Sequence, residues 1–159
     1  MLAESQNEYM KILMPWQLKD NGDFASNTYI DTIQNGVRWD RLRVEFHVGT
    51  VDAAIGSTAE TTAPYLEECD TTDGTYTAVT GKDGSAAALA DAIGATEDDS
   101  IFAIEVDLRD AHKRYMEVNV PHAGDGTTGC NLCIIGRLFG GGVAPTTAAL
   151  RGLTEHIIV

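Results

Sequence analysis

The feature that most restricts this chain is alternation. From Arg41 to Val48, the apolar Leu42, Val44, Phe46 and Val48 interleave with the polar Arg41, Arg43, Glu45 and His47. Successive side chains of a strand point to opposite faces, so period two predicts a strand with one face in a core and one in solvent. The same period runs from Phe102 to Leu108 and from Tyr115 to Val120. Cys130 to Phe139 is apolar on both faces, which predicts a central strand covered on both sides or one placed in a subunit interface. Weaker strand patterns cover Tyr9 to Met14, Asn27 to Ile33, Pro64 to Cys69 and Thr75 to Val79. Between them stand turn formers: Asp20-Asn21-Gly22-Asp23, Asn35-Gly36, Asp73-Gly74, Asp83-Gly84 and Gly124-Asp125-Gly126. The expected fold is all-β, a β-sandwich or jelly roll of about eight antiparallel strands with little helix. Helix is expected only over the alanine-rich Ser85 to Ile93, closed by Gly94, and as a single turn from Val51 to Ile55.

At 159 residues the chain is long enough for one domain with its own core. We expect an N-terminal arm over 1–8, a sandwich domain over 9–142, and a C-terminal extension over 143–159 that packs on a neighbour. Gly140-Gly141-Gly142 reads as a hinge into that extension, which ends on the apolar Ile157-Ile158-Val159.

Charge narrows the partners. With 11 Lys and Arg against 24 Asp and Glu, the formal net charge is −13. Such a chain repels nucleic-acid phosphates and anionic membrane surfaces, so neither is expected as a partner. A partner should offer positive charge or an apolar patch. No apolar run reaches the ~18 residues of a membrane helix. No N-terminal stretch combines a basic start, an apolar run and a cleavage site, and the three cysteines follow no disulfide framework. Synthesis in a reducing cytoplasm is the corresponding expectation.

Motifs that carry chemistry are sparse. Cys130-Asn131-Leu132-Cys133 has CxxC spacing, but it is one pair in an apolar strand, where an odd separation sends the thiols to opposite faces. His47, His112, His122 and His156 form no close ligand pair. Asp20 to Asp23 and Asp98-Asp99 lack the spacing of a calcium loop and read as turn residues bonding their own backbone. No nucleophile elbow or phosphate loop precedes a helix. The expectation is therefore a protein that is not an enzyme, with no catalytic residue, metal or cofactor. One basic stretch stands out in this acidic chain: Arg109, Lys113 and Arg114, with His112 beside them, in what reads as a polar hairpin from Asp107 to Tyr115. It suits an acidic partner or a neighbouring subunit's carboxylates.

Several blocks occur in a recognisable order: Leu42 to Gly49, Leu66 to Thr77, Val106-Asp107-Leu108-Arg109, Lys113-Arg114-Tyr115, Gly124-Asp125-Gly126-Thr127 and Ala144 to Ala149. Over roughly Val37 to Gly152 this order resembles the small β-sandwich head decoration (cement) proteins of tailed bacteriophages. The resemblance implies a virion protein on the capsid exterior, made in the bacterial host cytoplasm. Its partner would be the major capsid protein, and it would act as a homo-oligomer, a trimer being favoured. Candidate contacts are Tyr9 and Trp16 near the start, Arg109, Lys113 and Arg114 in the basic stretch, and Leu150, Leu153, Ile157 and Ile158 near the end. The alternatives are another virion role (head-fibre base, tail or minor capsid protein) and a jelly-roll carbohydrate-binding module. The latter needs clustered aromatics, and the Trp and Tyr residues are scattered along the sequence.

Overall fold

The computed structural model describes residues 8–19, 28–34, 36–51, 55, 63–81, 84, 86–89, 93–120 and 129–141. Ten strands form: β1 (Glu8–Lys19), β2 (Ile30–Asp31), β3 (Ile33–Gln34), β4 (Val37–Arg38), β5 (Arg41–Val51), β6 (Tyr65–Cys69), β7 (Thr77–Ala78), β8 (Ile101–Asp107), β9 (Tyr115–Asn119) and β10 (Cys130–Phe139). All pairings are antiparallel. The first sheet has the order β1-β10-β5-β8, the second β2-β9-β6-β7, and β3 with β4 forms a separate hairpin turning through Gly36 at φ +75°. The chain is all-β, as the alternation requires, and no helix occurs among the described residues.

Both sheets feed one core. Leu42, Val44, Phe46, Leu132, Ile134 and Leu138 of the first sheet join Ile30, Leu66, Met116 and Val118 of the second in a single buried cluster. The layers are packed tightly at Gly136 on β10, where an added Cβ would lie 3.0 Å from Ile30 Cδ1 across the sandwich and 3.1 Å from Leu13 Cδ1 beside it. The bulkiest fully buried side chain is Trp39, between β4 and β5.

Four expectations are corrected. Ser85 to Ile93 is not a helix where it is described, because Ala86 bridges Thr80, Ala88 bridges Tyr65 and Ile93 bridges Ile55. Alanine is the strongest helix former, but propensity is a weak prior and the long-range β-bridges override it. The turn expected from Val51 to Ile55 gives way at both ends to β structure, Val51 closing β5 and Ile55 bridging Ile93; 52–54 lie outside the described residues. Asn27 to Ile33 is not one strand: Thr32 interrupts it, its amide and hydroxyl both donating to the Arg114 carbonyl at 3.0 and 2.8 Å. Gly140 and Gly141 are not a loose hinge. Gly140 has φ +72° beside Asp40, and a Cβ on Gly141 would stand 2.8 Å from Val37 and 3.1 Å from the Trp39 ring, so the backbone is docked there.

β1 runs further than its sequence pattern, through Pro15 to Lys19. Two register shifts against β10, between Ile12 and Met14 and between Met14 and Gln17, place Leu13 and Met14 inside together. Proline is tolerated because β1 is an edge strand.

Candidate functional site

The basic stretch is not a hairpin. β8 belongs to the first sheet and β9 to the second, so residues 108–114 cross from one sheet to the other. Its cations are also divided among separate partners within the molecule. Arg109 donates from Nε and Nη2 to Asp107 at 2.8 and 2.6 Å. Lys113 donates from Nζ to Thr77 Oγ1 at 2.8 Å, and its amide donates to Glu68 Oε2 at 3.1 Å. Arg114 forks onto both Asp31 oxygens at 2.9 and 2.8 Å, its guanidinium 5.1 Å from the Tyr115 ring centre. Tyr9 is half-buried against the core, and burial followed by the Asp31 charge pushes its hydroxyl up from the ordinary value. Leu150, Leu153, Ile157 and Ile158 lie outside the described residues. Of the described candidates, Trp16 is the one on an open apolar surface, 60% exposed.

That surface is the outer face of the first sheet. Register groups it into rows across β1, β10, β5 and β8: Met10, Arg137, Arg43 and Glu105; then Ile12, Ile135, Glu45 and Ala103. The next row holds Cys133, His47 and Ile101. Trp16 reaches across β10 toward β5, where its Cζ3 would lie 3.6 Å from a Cβ on Gly49. Gly49 leaves the space in which the indole lies. Ile12, Leu18 and Ile101 are 58%, 59% and 64% exposed. One end of the face is thus apolar.

The other end is a closed charge network. Arg43 Nε donates to Glu105 Oε1 at 2.6 Å, and Arg137 Nε donates to Glu45 Oε2 at 3.0 Å. The His47 ring lies 3.3 Å from the same Glu45 oxygen, and Arg137 lies 3.9 Å from Glu8. Three arginines, Arg41, Arg43 and Arg137, stand here against Glu8, Glu45, Glu105 and Asp107, so the face is near neutral on an acidic protein.

The second sheet carries what the sequence reading missed. Tyrosines far apart in the chain come together: Tyr29 and Tyr115 pack edge to face at 5.2 Å, and Tyr76 lies among them and Glu117. The Tyr76 hydroxyl is buried with no partner among the described residues and is pushed up to about 12, chiefly by burial. Cations occupy two of these rings, Lys11 4.8 Å from the Tyr29 centre and Arg114 on Tyr115, so they are not open platforms for a sugar.

The thiols behave as their spacing predicts. Cys130 faces the core, Cys133 the outer row, and both are buried and outside any disulfide. Burial raises the Cys133 thiol, which favours the unreactive protonated form. The Asp98-Asp99 pair shapes a turn: Asp98 accepts from the Val51 amide at 2.7 Å, and Asp99 takes φ +54°. No group of three or more metal-ligating side chains gathers among the described residues.

Ile101 had a readable signal. It shares the phase of Ala103, Glu105 and Asp107, so an isoleucine there must point to solvent. Leu18 had none, because the β1 bulges scramble the phase; Trp16 was a candidate contact from its place near the start of the chain, but the phase did not assign it a face. Comparison with known proteins finds no family model, no curated protein and no solved structure that matches the chain.

Proposed function

We propose that this protein is a capsid decoration (cement) protein. It binds the outer surface of a tailed-phage head and stabilises contacts between major capsid subunits, acting as a homo-oligomer for which a trimer is the first model to test. The observation that carries the reading is the outer face of the first sheet, where Ile12, Trp16, Leu18 and Ile101 stand open to solvent beside a neutralised charge network. Apolar surface gathered on one rigid face marks a docking site rather than chance exposure.

Three further points favour this role. With the β3–β4 hairpin set aside, we read the orders β1-β10-β5-β8 and β2-β9-β6-β7 as an eight-stranded jelly roll, an architecture common in viral capsid domains. The sequence blocks that resemble head decoration proteins lie largely on this sandwich. A net charge of −13 keeps free copies apart, while many weak sites on a shell supply avidity.

The test adds purified protein to heads assembled without it and follows binding and rupture on warming. Saturable, stoichiometric binding that raises the rupture temperature supports the reading, provided that Trp16→Ser with Ile101→Ser abolishes it at unchanged protein stability. Binding untouched by that pair removes the face from the mechanism, and absence of binding removes the capsid.

A further inference from the structure

The first sheet has two edges, and among the described residues only one is protected. β1 carries Pro15, Lys11, Lys19 and two register shifts, and the segment at Thr28 and Tyr29 covers part of it: the Thr28 amide donates to the Leu13 carbonyl at 2.9 Å, and Lys11 Nζ donates to the Tyr29 carbonyl. These are the devices that keep an edge from pairing with another chain. β8 has none of them. It is seven residues long, without proline, lysine or bulge, and pairs with β5 in unbroken register.

Register also fixes which peptide groups of β8 face outward. Val48 donates to the Ser100 carbonyl at 2.9 Å and Leu108 to the Asp40 carbonyl at 2.8 Å, so the even-numbered residues point their N–H and C=O at β5. Antiparallel ladders alternate, and the odd residues therefore point the other way. The peptide groups of Ile101, Ala103 and Glu105 look out along an open edge, with no strand beside them among the described residues. Next to this edge lies a groove of about 210 Å³ between the sheets. Val79, Ala87, Val106 and Ala111 give it apolar walls, and Glu105 and Asp110 give it acidic ones.

We propose that the β8 edge binds an extended segment of a partner protein as an added antiparallel strand. The occupant alternates small apolar residues, which enter the groove, with outward residues that are basic opposite Glu105 and apolar opposite Ile101. Charge chooses this occupant over a second copy. Glu105 is already shared with Arg43, but Asp110 makes no side-chain hydrogen bond or ion pair among the described residues, and the whole chain is −13. Two copies paired about Ala103 would set Glu105 against Ile101 and bring two such charges together. This edge adjoins the docking face above and shares Ile101 and Glu105 with it, but its outward peptide groups and its groove lie outside that face, and its test needs no capsid.

The probe is the synthetic peptide acetyl-Lys-Val-Lys-Val-Thr-Val-Ile-amide, added to the full chain and followed by amide hydrogen exchange. Binding should slow exchange at Ile101, Ala103 and Glu105 and leave the already paired Ile104 and Val106 unchanged. A peptide with both lysines replaced by glutamates should bind about tenfold or more weakly. Ala103→Pro removes an outward N–H and no ladder bond, so it should fold and bind about tenfold or more weakly; Ala103→Val should fold and still bind. Were Ala103→Pro to misfold, the exchange pattern and the charge-reversed peptide decide alone. No protection at millimolar lysine peptide, or equal binding of both peptides, overturns the proposal. So does a wild-type dimer in the ultracentrifuge that Ala103→Pro makes monomeric, which would give the edge to a second copy.

Discussion

Glu117 on β9 stands directly opposite Glu67 on β6, and the pair sets up a test with a definite sign. Opposed residues have Cβ atoms about 4.5–5.5 Å apart. Glu67 accepts two hydrogen bonds, from Tyr65 to one oxygen at 3.5 Å and from Asn119 to the other at 3.4 Å. For Glu117, burial and then the Glu67 charge push its carboxyl up from the ordinary 4.5. A raised acid holds a proton in the folded state that the unfolded state has released. Stability therefore falls as pH rises through that window, and the full penalty is present at neutral pH. Glu117→Gln removes the charge and keeps the shape. Two charges about 6 Å apart in water repel by about 0.7 kcal/mol, and opposed like charges on strands cost about 0.2–1 kcal/mol. Glu117 is half-buried and solvent still screens the pair in part, so we expect a gain of about 0.5 kcal/mol at pH 7, about 1–2 °C in Tm, shrinking toward zero at pH 4. Urea unfolding of wild type, Glu117→Gln, Glu67→Gln and the double variant at both pH values measures it. Glu67→Gln should gain less, since it also disturbs the Tyr65 and Asn119 bonds. A Glu117→Gln protein that is less stable at pH 7, or equally favoured at pH 4, refutes the electrostatic reasoning.

Asp31 should show the opposite slope. Burial pulls its carboxyl up, but hydrogen bonds from Arg114 and the Ile33 amide, with the charges of Arg114 and Lys11, outweigh burial and hold it below the ordinary 3.8. Its contribution is present above that value and lost as pH falls, so Asp31→Asn should destabilise at pH 7 with the gap to wild type closing toward pH 3 in urea titrations. Ile134 is fully buried at the centre of β10, and Ile134→Ala should cost about 2–5 kcal/mol in the same assay. The two tryptophans should separate by acrylamide quenching: Trp16→Phe leaves the Trp39 emission, 1% exposed and blue-shifted, while Trp39→Phe leaves a readily quenched one.

The strands that alternate cleanly were legible because one half of each faces a core. β10 matches its expected bounds, and β5 and β8 differ from theirs by at most three residues at an end. What failed to show was whatever depends on long-range pairing. Leu13 and Met14 are both inside, so β1 loses its period at the bulge, and Pro15 looks like an end although an edge strand accepts it. Ala86 and Ala88 read as helix until Thr80 and Tyr65 pair with them. The docking face was partly legible: phase betrays Ile101, and Trp16 was a candidate contact, but its seat at Gly49, two strands away, was illegible. The tyrosine cluster was invisible for the same reason: Tyr29, Tyr76 and Tyr115 meet only once β2, β6, β7 and β9 are in register.

β10 follows every other described strand in the chain, yet it occupies an interior place, with β1 on one side and β5 on the other. During synthesis β1 emerges first and waits more than 100 residues for its partner. Until then the first sheet is open down its middle, and two long strands each show an unpaired side. Closure of the first sheet thus waits until β10 has been made, and contacts of such sequence separation form slowly. A nascent or prematurely stopped chain without β10 would be a substrate for chaperones and proteases.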